Sequence, residues 1–98
     1  MDINTVVKKN GLVGVFGYML GDYDWSEIGV YFSSEKNRYF WYTDSGCSCT
    51  YFGDNVGSMS EFCDGDKFAA SRAIYDFVKS EEGESGASVQ AAKFLMDN

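Results

Sequence analysis

Histidine and proline are both absent from this chain. Without histidine there is no Ser–His or Cys–His pairing to activate a nucleophile, and no imidazole to complete a metal site. Phosphate-cradling loops are missing as well, since neither Gly-x-x-x-x-Gly-Lys nor Gly-x-Gly-x-x-Gly occurs. Positive charge is scarce: eight Lys and Arg stand against fifteen Asp and Glu, a net charge of −7. Nucleic-acid affinity rests on counterion release by clustered cations, so direct nucleic-acid binding is disfavoured. The longest apolar run, Leu12 to Leu20, is about half of a bilayer-spanning helix and is interrupted by Gly14 and Gly17. The opening Met1-Asp2-Ile3-Asn4 has no basic stretch leading into an apolar segment. These absences predict a non-enzymatic protein that needs no cofactor and makes no membrane contact. Its three cysteines are expected as thiols or ligands in a reducing, intracellular compartment.

What is present argues for a folded domain. Ninety-eight residues fit one domain, 1–98, and the 45% apolar and 17% aromatic fractions supply a core. The acids are unevenly placed. No base occurs from Asn10 to Glu35 or from Tyr39 to Asp66, while Asp44, Asp54, Glu61, Asp64 and Asp66 fall in the second stretch. Such a field serves solubility, and it would also meet a basic partner.

Periodicity predicts an α+β fold, a three-stranded antiparallel meander packed by one or two C-terminal helices. Residues 2–10 read as a frayed start or a short helical turn. Leu12–Leu20 is apolar on both faces and is expected to be central or doubly covered, with Gly14 or Gly17 marking a bulge. Trp25–Ser33 alternates, with Ile28, Val30 and Phe32 on one face and Glu27, Gly29, Tyr31 and Ser33 on the other. Arg38–Thr43 is the third and most aromatic strand. Short links make the pairing antiparallel. An irregular stretch from Asp44 to Gly65 follows, with Tyr51-Phe52 as a candidate fragment of a fourth strand. Asp64 or Asp66 is expected to cap a helix from about Lys67 to Ser80 that buries Ala70, Ile74, Phe77 and Val78, with Phe68 near that stripe. A second helix begins at Ser85 or Ser88, buries Ala91, Phe94 and Leu95, and must dock to persist.

Cys47-Ser48-Cys49 with Cys63 is the sharpest local feature. Together with Asp64 or Asp44 these thiols are the candidate metal ligands, although small buried thiols are the commoner outcome. A disulfide from Cys63 to either of the others would close a loop of about fifteen residues and stabilise by around 3 kcal/mol. Gly46 permits a bend after the third strand, Asp44 and Ser45 can fix it through backbone amides, and Cys47 and Cys49 would tuck beneath the sheet. In the aromatic run, Phe40 and Tyr42 facing inward leaves Tyr39 and Trp41 on a second face with Tyr31 beside them. That face is either covered by a helix or open to a partner. The candidate partner-binding residues are therefore Tyr31, Tyr39, Trp41, Asp44, Asp54 and Glu61.

The segment Arg38-Tyr39-Phe40-Trp41-Tyr42-Thr43-Asp44-Ser45-Gly46-Cys47-Ser48-Cys49 resembles a motif of small uncharacterised actinobacteriophage proteins, in which an aromatic strand enters Asp-Ser-Gly-Cys-Ser-Cys. The resemblance covers about residues 25–55 and departs from the pattern at Thr50-Tyr51-Phe52, where a proline is expected. It implies a phage product acting in the host cytoplasm, without an assigned activity. Three functions follow as expectations. The leading one is a non-catalytic factor docking on a host or defence protein, in its sharpest form as a nucleic-acid mimic. The others are a metal- or thiol-dependent module built on Cys47, Cys49 and Cys63, and a minor virion or assembly component.

Overall fold

A computed structural model describes residues 2–98. The chain runs α1 (Ile3–Lys9), β1 (Leu12–Gly21), β2 (Trp25–Ser33), β3 (Arg38–Gly46), a single 3₁₀ turn (Met59–Glu61), β4 (Cys63–Gly65), α2 (Lys67–Glu82) and α3 (Glu84–Asp97). The four strands form one antiparallel sheet in the order β1-β2-β3-β4. The α+β meander with two C-terminal helices is as expected from the sequence, with a short N-terminal helix added.

The sheet is covered on both faces, and the two faces follow from strand alternation. Ile28 and Val30 of β2, with Phe16 and Tyr18 of β1 and Tyr39 and Trp41 of β3, pack against Ala70, Ile74, Val78, Ala87 and Phe94 of the two helices. Phe94 is fully buried and meets Phe16 and Tyr39 edge-on, at ring separations of 6.0 and 5.6 Å. The opposite face carries Leu12 and Phe40, with Tyr31 and Tyr42 alongside, beneath Ile3 and Val6 of α1 and Phe52, Val56 and Phe62 of the connection between β3 and β4. Residues 47–62 therefore form the second cover of the sheet. Their apolar side chains are the reason so long a connection holds one path.

Several expectations are corrected. β1 is an edge strand, paired with β2 alone, and its Val13 and Met19 are exposed. Its register shifts between Gly14 and Phe16, the irregularity its glycines suggested. The fourth strand is Cys63–Gly65, paired with Tyr39–Trp41, and Tyr51-Phe52 lies in the cover instead. Asp66 caps α2, its carboxylate accepting from the Ala69 amide at 2.8 Å. Phe68 is exposed, one position off the buried stripe of α2. The break between the helices narrows to Gly83, whose φ of 99° an L side chain rarely adopts. No helix among the described residues is long and apolar enough to cross a membrane.

Candidate functional site

Two features meet at the end of the sheet where β1 turns into β2. The first is a concentration of carboxylates. The turn itself carries Asp22 and Asp24, both exposed. Glu27, near the start of β2, lies directly opposite Asp44, near the end of β3. The C-terminal turn of α2, with Glu81 and Glu82, is fixed to the same end because the Tyr18 hydroxyl donates to Glu82 at 2.7 Å. Glu84 opens α3 immediately beyond. Lys79 is the nearest base along α2, and its ammonium sits 5.8 Å from the Tyr75 ring centre. The far end of the sheet mixes the signs: Lys36, Arg38 and Lys67 stand there with Glu35, Asp64 and Asp66.

Local electrostatics record this crowding. Partial burial, followed by the charge of Asp44, holds the Glu27 carboxyl above the usual glutamate range. Burial and then Glu27 push the Tyr31 phenol up. Asp44 spends its own oxygens on the backbone, accepting from the Ser45 and Gly53 amides at 2.9 Å each. Asp54 accepts from Tyr51 at 2.9 Å, and Glu61 accepts from Gly57 at 2.7 Å and Ser58 at 3.0 Å. These three acids of the base-free stretch thus shape the cover by satisfying its amides, a role the sequence suggested for Asp44 but not for Asp54 or Glu61.

The second feature is the turn Cys47–Thr50, closed by the Thr50 amide donating to the Cys47 carbonyl at 3.0 Å. The Thr50 hydroxyl also bonds the Cys47 carbonyl at 3.1 Å and accepts from its amide at 3.2 Å. The Trp25 indole donates to the same carbonyl at 2.9 Å, which ties the turn to the sheet. Gly46 is required by close approach, since a Cβ there would lie 2.2 Å from Thr50 Oγ1 and 2.8 Å from the Trp25 ring. Cys47 and Cys49 are exposed rather than tucked beneath the sheet, and their sulfurs are 2.7 Å apart. The hydrogen bond between the two thiols holds that of Cys47 below its ordinary value and pushes that of Cys49 up. Between the two features lies an open groove of about 330 Å³, lined by Met19, Asp22, Trp25, Glu27, Ser48, Thr50, Tyr51 and Phe52.

The structure separates other candidates that the sequence grouped. Cys63 pairs with Trp41, five residues along β3 from Gly46, or roughly 17 Å at strand rise. That exceeds the reach of a disulfide, whose Cα atoms sit within about 7 Å of each other. Asp64 forms an ion pair with Arg38. Among the described residues no three metal-ligating side chains gather, so Cys47, Cys49, Cys63 and Asp64 do not form one site. Tyr39 and Trp41 lie under the helices, whereas Tyr31 sits on the opposite face against Phe62, with ring centres 5.9 Å apart. They make no shared aromatic patch. Alternation explains this, because Tyr31 pairs with Phe40 and not with its neighbours Tyr39 or Trp41.

The fold and site define a class: a small α+β domain, sheet covered on both faces, with an acidic end and a solvent-exposed dithiol turn. The chain belongs to the family described as Domain of unknown function (DUF7574), which it matches over residues 3–92. No curated protein and no solved structure matches it.

Proposed function

We propose that this protein is a non-catalytic binding factor whose acidic end docks on a basic surface of another protein. The observation that carries this reading is the convergence of Asp22, Asp24, Glu27, Asp44, Glu81 and Glu82, from separate segments, on one end of the sheet. Charge of one sign gathered this way steers a cationic partner and raises its association rate. Covered aromatic faces leave charge as the better candidate for recognition. The resemblance of residues 25–55 to actinobacteriophage proteins supports a host or defence protein in the host cytoplasm as the partner. A protein that normally grips nucleic acid has the required basic surface, so mimicry of nucleic acid is the form of the reading that this charge favours.

The test is capture from actinobacterial lysate with tagged protein, washed at low and then high salt. One partner retained at low salt, released at high salt, and not retained by the triple variant Asp22→Asn, Asp24→Asn, Glu81→Gln is the expected result. These three residues are exposed, so neutralising them leaves the fold intact. Retention that survives both high salt and the triple variant overturns the reading, as does the absence of any partner in either wash.

A further inference from the structure

We infer that Cys47-Ser48-Cys49 is a redox-active dithiol that exchanges with disulfides, and that the carboxylates beside it select disulfides carrying positive charge. Five observations support the site independently of the binding function proposed above. The two sulfurs are 2.7 Å apart, so closing the bond to its usual length of about 2.04 Å takes less than 1 Å of movement. Both thiols are exposed, which gives a substrate disulfide access from solvent. The turn is held by Thr50 and by the Trp25 indole, which presents the thiols together instead of leaving them on a loose loop. Fourth, Cys63 is too distant to compete as a resolving partner for either sulfur. Fifth, Ser48, between the two cysteines, shares one groove wall with Asp22 and another with Asp22 and Glu27.

The reaction balances as ordinary thiol–disulfide exchange. Cys47 sulfur, the one of the hydrogen-bonded pair whose thiol is held below its ordinary value, attacks one sulfur of R–S–S–R. A mixed disulfide between Cys47 and R forms, and the first RS⁻ leaves. Cys49 sulfur then attacks the Cys47 sulfur, closes the ring and expels the second RS⁻. The two protons lost from Cys47 and Cys49 end on the two RSH products. One disulfide is reduced and the dithiol is oxidised, with no other reagent consumed. Exposed disulfides are the labile ones, so the ring reopens when reductant is in excess.

Charge enters at the encounter. A cationic disulfide approaches Asp22 and Glu27 down a favourable field, whereas an anionic one is repelled, and salt screens both effects over a Debye length of about 10 Å at 0.1 M. Cystamine and oxidised glutathione are the two probes, each referenced to its reaction with free dithiothreitol to remove intrinsic reactivity.

Three outcomes are expected with the reduced full chain. Wild-type protein loses the mass of two hydrogens and retains one alkylatable thiol of its three, which peptide mapping places at Cys63. The Cys49→Ser variant stops at the mixed disulfide on Cys47. The referenced rate for cystamine exceeds that for oxidised glutathione about tenfold at low salt, and the ratio falls towards one at high salt. Adducts that accumulate on wild-type protein without a Cys47–Cys49 disulfide overturn the dithiol site, and so does a lack of reaction. A rate ratio near one at low salt overturns the charge selection. Because all three cysteines are exposed, serine replacements keep the fold, which a far-ultraviolet circular dichroism spectrum verifies.

Discussion

Glu27 is held against Asp44 by strand register, and its protonation is coupled to folding. Its carboxyl titrates higher in the folded protein than in the unfolded chain because partial burial, and then Asp44, disfavour the charged form. The folded state therefore binds the proton more tightly. Stability is fully present below the unfolded glutamate value and declines as pH rises through the higher folded value. Glu27→Gln removes that loss, so the variant is the more stable at neutral pH by about 0.5 kcal/mol, the scale of a like-charge pair directly opposite in a sheet. Near pH 4 the advantage disappears. Urea unfolding of both proteins at the two pH values checks this, and an advantage that grows on acidification contradicts the sign. Gly53 makes a different residue-level demand. Its φ is 73°, and a Cβ would lie 2.3 Å from Ile3 Cγ2, where α1 seats on the cover. Gly53→Ala is therefore strained twice, in backbone and in contact, and costs more than about 1 kcal/mol, read from the same denaturation curves. The sequence presents Gly53 as one loop glycine among several. Only the return of the chain beneath Ile3 explains why this one is indispensable.

At the scale of elements, what the sequence disclosed followed local chemistry. β2 is legible to its ends because Ile28 and Val30 alternate with polar or aromatic neighbours between two turn signals, and α2 is legible from Ala70, Ile74 and Val78. β4 was not legible. Cys63-Asp64-Gly65 has no strand propensity, and it pairs because the cover delivers it beside Tyr39–Trp41. The edge position of β1 was hidden for a related reason, since an apolar strand reads alike whether a neighbour or solvent lies beyond it. The candidate site divides the same way: Cys47 and Cys49 were visible as a motif, but their exposure depends on Trp25 and Thr50 turning the chain outward. Helix capping gives a direct test of the assignment of α2. Asp66→Ala loses the bond to the Ala69 amide and lowers stability by about 1 kcal/mol. Asp64→Ala removes only an exposed pair with Arg38, side chains 49% and 45% exposed, and costs less than about 0.5 kcal/mol. Equal losses for the two variants in chemical denaturation contradict the assignment of Asp66 as the cap.

For the whole molecule, charge and shape act together. The Cα envelope measures 35 × 34 × 18 Å, a flat body whose acidic and mixed-charge ends lie at opposite ends of the strands. A nine-residue strand such as β2 spans roughly 30 Å, about three Debye lengths at 0.1 M salt. Attraction between the two ends is thus screened first and contributes little. Repulsion among Asp22, Asp24, Glu27, Asp44, Glu81 and Glu82 acts over shorter distances and persists at low salt. Added sodium chloride relieves it, and thermal stability rises with ionic strength by on the order of 1 kcal/mol, or about 4–8 °C in the melting temperature of a domain this size. Scanning calorimetry across a salt series measures the slope. The triple variant Asp22→Asn, Asp24→Asn, Glu81→Gln melts higher than wild type at low salt and responds less to added salt, because part of the repulsion is already gone. A melting temperature that falls with salt in wild type means that attraction between opposite charges outweighs the acidic end. The low-salt field proposed to recruit a basic partner and a cationic disulfide would then be too weak for either role.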